Sequence, residues 1–219
     1  MAIWARGIMG MRGAVAAALL VAGCAPIEPE PGAPDISRLQ KPLSGEYLQL
    51  VSVGPRLVEI DAAGRRVKAA ATGRCIPLDS IRTSRASVFL ILAECPGAAP
   101  EEDAGLLSVS VSPVGLPMSG PALVRFLRSP EGLAALGHGE GAAKLVLAAD
   151  APEATYAVVE DRGPHGPSFA GPLIARAFTE INGRMVVATL LSLRDSQDDP
   201  ERLRARLADL VARLRAENA

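Results

Sequence analysis

The chain has 219 residues, of which 49% are hydrophobic and 21% charged, with a formal net charge of −1. This balance is typical of a globular protein and excludes an intrinsically disordered chain. A nearly neutral chain without a polybasic stretch has no electrostatic reason to bind nucleic acid, so we expect no nucleic-acid partner.

The N-terminus has the pattern of an export signal. Arg6 and Arg12 precede the uncharged run Gly13–Ala22. This run is too short to span a bilayer, which takes about 20 residues, but it is typical of the apolar part of a signal peptide. We therefore predict a signal peptide over residues 1–23, whether translation starts at Met1, Met9 or Met11.

The apolar run ends in Leu20-Val21-Ala22-Gly23-Cys24, which resembles the lipobox of bacterial lipoproteins. The resemblance implies cleavage before Cys24, a diacylglyceryl group on its thiol and a further acyl chain, such as palmitate, on its new amine. Several acyl chains give firm membrane anchoring where one is marginal. By the sorting rule of well-studied Gram-negative bacteria, Ala25 in place of aspartate favours the periplasmic face of the outer membrane over the inner membrane. The alternative is an ordinary leader with a cysteine there by chance.

Residues 24–43 are predicted to form a tether between the anchor and the folded part. The segment is rich in proline, which favours the extended polyproline II conformation. At about 3.1 Å per residue, such a tether reaches up to about 60 Å. A proline-rich ligand for an aromatic groove is the alternative interpretation. The prolines are Pro26, Pro29, Pro31, Pro34 and Pro42.

The first half of residues 44–219 has the alternation typical of strands. We predict a strand over Tyr47–Val53 and a hairpin of Arg56–Ile60 with Arg65–Ala70. Val88–Ala93 is apolar on both faces, which predicts a central strand. In 107–111 the apolar residues alternate with serines, which predicts one core face and one solvated face.

Cys75 and Cys95 are the cysteines that remain if Cys24 is acylated. An even pair in an oxidising compartment predicts a disulfide. Two buried thiols, or half of a metal site, are the alternatives. A metal site would need further ligands, and the chain offers only the histidines His138 and His165.

Helical spacing follows over Pro121–Gly137, with a break at Ser129-Pro130-Glu131. Strands are then predicted over Ala143–Ala148 and Thr155–Asp161. The glycine- and proline-rich stretch Arg162–Pro172 is predicted to be a loop.

The C-terminal part gives the clearest local pattern. Strands Ile174–Ile181 and Arg184–Leu193 flank Asn182-Gly183, the preferred pair for a type I′ turn. Asp198-Asp199-Pro200-Glu201 is a helix start. The final helix has an apolar stripe of Leu203, Leu207, Leu210, Val211 and Leu214, and we predict a solvated face bearing Arg204, Arg206, Arg213 and Arg215, with a partner-binding face as the alternative.

Together these elements predict a single α+β domain, an antiparallel sheet of about six to nine strands with a mid-chain helix and a C-terminal amphipathic helix. Three stretches resemble small lipoproteins of GC-rich bacteria, sometimes labelled "cation transport ATPase" although the ATPase motifs are missing. More loosely, the last half is similar to PsbP-like envelope proteins, which implies an α+β fold and an accessory, non-catalytic role. The stretches are Tyr47–Leu57, Phe126–Gly132 and Phe178–Val186.

No phosphate-binding loop, dinucleotide fingerprint, nucleophile elbow or H-E-x-x-H motif occurs in the sequence. His138 lies in a glycine-rich turn, which favours a structural role over acid–base or metal chemistry. His165, with Ser168 and either Glu160 or Asp161, could form a hydrolytic set only if the fold joined them. The acidic run Glu101-Glu102-Asp103 lacks the spacing of a calcium loop.

We therefore expect no catalytic residue, no cofactor and no metal site. The predicted function is that of a membrane-anchored periplasmic lipoprotein that binds or scaffolds another envelope protein. The alternative is a periplasmic enzyme or small-ligand binder using a cleft near the 162–172 loop.

Overall fold

The computed structural model describes residues 48–62, 64–71, 73–98, 105–137, 143–161 and 170–219. They form one α+β domain, which confirms the predicted fold class. Its elements are β1 (Leu48–Val53), β2 (Leu57–Ala62), β3 (Arg65–Ala70), a 3₁₀ turn (Leu78–Ser80), β4 (Arg82–Thr83), β5 (Val88–Leu92), β6 (Leu106–Val111), α1 (Gly120–Leu127), α2 (Pro130–Leu136), β7 (Ala143–Asp150), β8 (Thr155–Asp161), β9 (Ala170–Ile181), β10 (Arg184–Leu193) and α3 (Pro200–Ala216).

The strands form two antiparallel sheets, where the sequence had suggested one. The first sheet has the order β1-β2-β3, and the second has the order β4-β5-β6-β10-β9-β8-β7. The long hairpin β9–β10 lies at the middle of the larger sheet because its strands are the longest and each pairs with a further strand.

The main core lies between one face of the larger sheet, the smaller sheet and α3. The stripe predicted on α3 is buried throughout and packs there. The smaller sheet contributes Val58, Ile60 and Val67, each at most 2% exposed. Burying a large aliphatic side chain contributes about 1.5–3 kcal/mol, so this layer holds the two sheets and α3 together.

A second, smaller core covers the opposite face of β8 and β9. It is formed by Leu123 and Leu127 of α1 and Leu136 of α2, packed on Ala157, Val159 and Ile174. The predicted break between the two helices is confirmed, since Ser129 caps α2 by accepting a hydrogen bond from the Gly132 amide at 3.2 Å.

Three predictions about strands were wrong. β5 is not central, because only the two-residue strand β4 lies outside it. The serine face of β6 is not solvated, since Ser108 is 7% exposed and Ser112, just after the strand, is 8% exposed. The predicted loop is shorter than expected, because β9 begins at Ala170 and so includes the stretch from Ala170 to Pro172.

The predicted turn at Asn182-Gly183 is confirmed. Both residues have positive φ, 51° and 71°, as a type I′ turn requires. The turn also contacts the smaller sheet, since Asn182 Nδ2 donates to the carbonyl of Arg66 at 2.7 Å. The hairpin therefore helps to fix β3 beside the larger sheet.

Candidate functional site

The predicted pair Cys75 and Cys95 forms a disulfide. Cys75 follows β3 and makes an antiparallel bridge with Ala93, with two N–O distances of 2.8 Å. Ala93 follows β5, so the bond crosslinks the ends of strands from different sheets. This confirms the disulfide and rules out the alternatives of free thiols and of a half metal site.

Most of the remaining candidates lie outside the described residues. These are Cys24 with the tether, the acidic run Glu101-Glu102-Asp103, and His138, His165 and Ser168. Their predicted roles therefore stay predictions. Among the residues that the structure does describe, no group of three or more His, Cys, Asp or Glu is arranged to hold a metal ion.

Glu160 and Asp161, the acids proposed for a hydrolytic set, end β8. Asp161 is 9% exposed and lies close enough to Arg176 on β9 for their charges to interact. Burial lowers the pKa of Arg176 and the charge of Asp161 opposes that effect. Arg176 Nη1 also donates to the carbonyl of Ala135 at 3.1 Å. The negative charge of Asp161 thus compensates for the partly buried positive charge of Arg176, which contacts the end of α2.

A shallow groove lies at one end of the domain. One part, of about 380 Å³, lies between the tip of the β9–β10 hairpin and the last turn of α3. The adjoining part, of about 280 Å³, is bounded by the loop before α1 and the β7–β8 turn. Glu180 and Arg215 line both parts. We call this surface the Arg215 groove.

Arg215 is held in place by β9. Its Nη1 donates to the hydroxyl of Thr179 and to the carbonyl of Glu180, both at 3.3 Å. The Thr179 hydroxyl in turn donates to the carbonyl of Glu153 at 2.7 Å. This chain of bonds links α3, β9 and the β7–β8 turn.

Three carboxylates line the groove together with Arg215, and each is oriented by one neighbour. Glu180 Oε2 accepts from the Leu116 amide at 3.0 Å. Asp150 Oδ1 accepts from the Thr155 hydroxyl at 3.1 Å, and Glu153 Oε1 accepts from the Tyr156 hydroxyl at 2.9 Å. With one guanidinium against three carboxylates, the groove carries two net negative charges, which favours contact with a positively charged partner group.

The solvated face predicted for the four arginines of α3 holds for Arg213 and Arg215, which are exposed, whereas Arg204 and Arg206 are half-buried. Arg215 bonds to β9, and Arg206 lies 3.5 Å from Asp198, whose side chain is 2% exposed. The other two form ion pairs on their own helix, Arg204 with Glu201 at 2.7 Å and Arg213 with Asp209 at 2.6 Å. Helical periodicity places a side chain on a face, but it does not show which neighbouring element reaches it.

Sequence reasoning missed the Arg215 groove because four separate segments build it. The segments are 116–120, 150–155, 178–182 and 215–219. The acids of the Asp150–Glu153 turn were visible in the sequence, but only the fold places them in one groove with Arg215.

Comparison of the chain with protein-family models, curated proteins and solved structures gives no match. Within the described residues, no helix is both long and apolar enough to cross a membrane.

Proposed function

We propose that the chain is an exported lipoprotein, cut before Cys24 and anchored by acyl chains on that residue at the periplasmic face of the outer membrane. The lipobox and its basic flank support this, and Ala25 favours the outer membrane. The observation that carries the proposal is the Cys75–Cys95 disulfide, because such bonds persist in oxidising compartments and are rare in the cytosol.

The anchor is tested by mass spectrometry and membrane fractionation of the native protein. We expect the mature chain to begin at Cys24 with three acyl chains, and Cys24→Ser to remove them and to block release of the signal peptide. Ala25→Asp is the matched control, which keeps the lipid but moves the protein to the inner membrane. A native chain that begins before Cys24, or carries an unmodified thiol there, would contradict the proposal.

We further propose that the protein binds another envelope protein without catalysis, through the Arg215 groove. The side chains that line the groove carry two net negative charges, and Arg215 Nη1 donates to β9. A basic segment of a partner could pair with Asp150, Glu153 and Glu180 while its carbonyls accept from Arg215.

Photo-crosslinking in intact cells tests this binding. A photoreactive residue at Pro152, which is exposed and lines the groove, should give one dominant crosslinked protein. The same residue at Ala205, exposed nearly three turns earlier on α3, should not. Glu180→Gln should weaken the crosslink while Glu217→Gln, outside the groove, leaves it unchanged. If the photoreactive residue at Pro152 and the one at Ala205 gave the same diverse set of crosslinked proteins, the proposal would be contradicted.

A small ligand is the second candidate, because the groove approaches the volume of about 300–1,000 Å³ that is usual for small-molecule sites. The sequence had pointed instead to a cleft near the 162–172 loop. His165→Ala separates the two positions: a phenotype lost at an unchanged melting temperature would favour the loop, and an unaffected phenotype would argue against it. A ligand in the Arg215 groove would raise the melting temperature of the wild-type domain but not of Arg215→Ala.

A further inference from the structure

The two edges of the smaller sheet differ in what covers them. On the outer edge of β3, the side chain of Asn218 donates to the Lys68 carbonyl at 2.9 Å and accepts from the Lys68 amide at 2.8 Å. Asn182 binds the carbonyl of Arg66 on the same edge. The outer edge of β1 has no strand partner among the described residues. Within the part of the chain that the structure describes, side chains therefore cover the outer edge of β3, and nothing pairs with the outer edge of β1.

β1 lacks the charges and prolines that usually protect an edge strand, and its register shift between Leu50 and Ser52 is the one protective feature it shares with β7. The large apolar side chains of β1 are exposed: Leu50 by 37%, Val51 by 45% and Val53 by 45%. The edges of the larger sheet have further protection, since β4 has only two residues and β7 carries Lys144. Short strands, lysines and bulges are the devices that prevent edge pairing.

The pattern of β1 is symmetric about its centre. Leu48-Gln49-Leu50 and Val51-Ser52-Val53 both read apolar, polar, apolar. A register shift between Leu50 and Ser52 changes the phase of the strand, so that Leu50 pairs with Ile60 and Val53 with Val58, two core residues, while Ser52 pairs with Glu59. Leu48, Leu50 and Val53 consequently lie on the same face of the sheet as Ile60 and Val58, although Leu50 and Val53 stay exposed, and Gln49 and Ser52 lie on the other face.

We propose that β1 pairs in antiparallel fashion with β1 of a second copy, which joins two smaller sheets into one six-stranded sheet. With the two-fold axis between Leu50 and Val51, Leu48 of each copy opposes Val53 of the other, and Gln49 opposes Ser52. Opposed residues in an antiparallel pair lie on the same face, so apolar meets apolar and polar meets polar. An uncharged strand also brings no like charges together.

One strand pair buries less surface than a stable dimer in free solution needs. The pairing therefore gains from confinement on a membrane, where tethering raises the effective concentration; in this respect the inference rests on the proposed lipid anchor.

Cysteine crosslinking tests the register in the full-length protein in isolated envelopes. Gln49→Cys and Ser52→Cys forms with different tags are co-expressed and mildly oxidised. Opposed residues lie about 4.5–5.5 Å apart, within reach of a disulfide, so most crosslinked product should join the two different variants. Peptide mapping confirms that Cys75–Cys95 stays intact, and the N-terminal mass reports on the anchor separately.

Leu50→Lys, added to both cysteine variants, should abolish the crosslink because it places charges of two copies together. Val146→Lys is the matched control, a similarly exposed aliphatic residue on β7, and should leave the crosslink unchanged. Melting temperatures establish that both variants fold. Same-variant crosslinks as frequent as mixed ones, no crosslink at all, or crosslinks only to a different protein would each overturn the proposal.

Discussion

Tyr156 shows how burial and a hydrogen bond set the chemistry of one side chain beside the Arg215 groove. The residue is fully buried in the main core, and its hydroxyl donates to Glu153 Oε1 at 2.9 Å. Burial raises the pKa of Tyr156 well above its ordinary value of 10.0, and the hydrogen bond and charge of Glu153 raise it further. The more distant charge of Arg204 opposes this shift.

The raised pKa predicts a loss of stability in strong alkali. The folded state holds the tyrosine proton more tightly than the unfolded state, so this contribution is complete below pH 10 and falls as the pH rises above it. Tyr156→Phe should remove this part of the alkaline dependence and destabilise the neutral protein by about 1 kcal/mol, the value of one hydrogen bond. The measurement is thermal unfolding against pH, together with tyrosinate absorbance.

The chain has two tyrosines, Tyr47 and Tyr156, so a Tyr47→Phe control isolates the second. In that variant no tyrosinate should form until the domain unfolds. Titration of Tyr156 in the folded protein near its ordinary pKa would show that this burial and bonding are wrong.

At the scale of elements, Gly132 sets how closely α2 follows α1. A Cβ added there would overlap the carbonyl oxygen of Phe126 and lie 2.8 Å from the Cα of Leu127, both backbone atoms. Helix propensity alone predicts that Gly→Ala stabilises a helix by about 1 kcal/mol. The close approach predicts the opposite, a loss of about 2 kcal/mol, because neither backbone segment can yield without disturbing the smaller core.

The sign of the change in unfolding free energy for Gly132→Ala, measured in urea, decides between the two effects. Ala134→Gly is the control, since Ala134 is exposed on the same helix and should lose about 1 kcal/mol from propensity alone. A Gly132→Ala protein more stable than wild type would show that α1 and α2 are not in this contact.

Elements with strong local chemistry could be predicted from the sequence. The turn at Asn182-Gly183 needs two residues that tolerate positive φ, and α3 begins with a cap in which Asp199 accepts from the Arg202 amide at 2.9 Å. A few neighbouring residues determine the turn and the start of the helix. The position of β5 near an edge depends on which strands pair, and the burial of Ser108 depends on what packs against that face of the sheet. The sequence pattern of a single strand predicts neither.

At the scale of the whole molecule, the same limit explains the candidate site. The Arg215 groove depends on contacts between residues such as Thr179 and Arg215, 36 positions apart, and Leu116 and Glu180, 64 apart. No local motif marks such pairs. The disulfide was predictable because, with Cys24 predicted to be acylated in an exported protein, only the pair Cys75 and Cys95 is left to form it.

The Cys75–Cys95 bond gives a prediction at this scale because it joins the two sheets across a sequence separation of 20. By the chain-entropy estimate, closing such a loop stabilises the folded domain by about 3 kcal/mol. For a domain of this size, reduction should lower the melting temperature by about 6–12 °C. The measurement is thermal unfolding of the purified domain with and without a thiol reductant.

The double variant Cys75→Ala with Cys95→Ala separates the bond from other effects of the reductant. It should melt near the temperature of the reduced wild type and be insensitive to reductant. The bridge between Cys75 and Ala93 uses backbone atoms alone, so both sheets should keep their pairing, and the loss should come from the freed unfolded chain. If reduction leaves the wild-type melting temperature unchanged, the bond does not stabilise the fold, and the strongest structural support for an oxidising compartment fails with it.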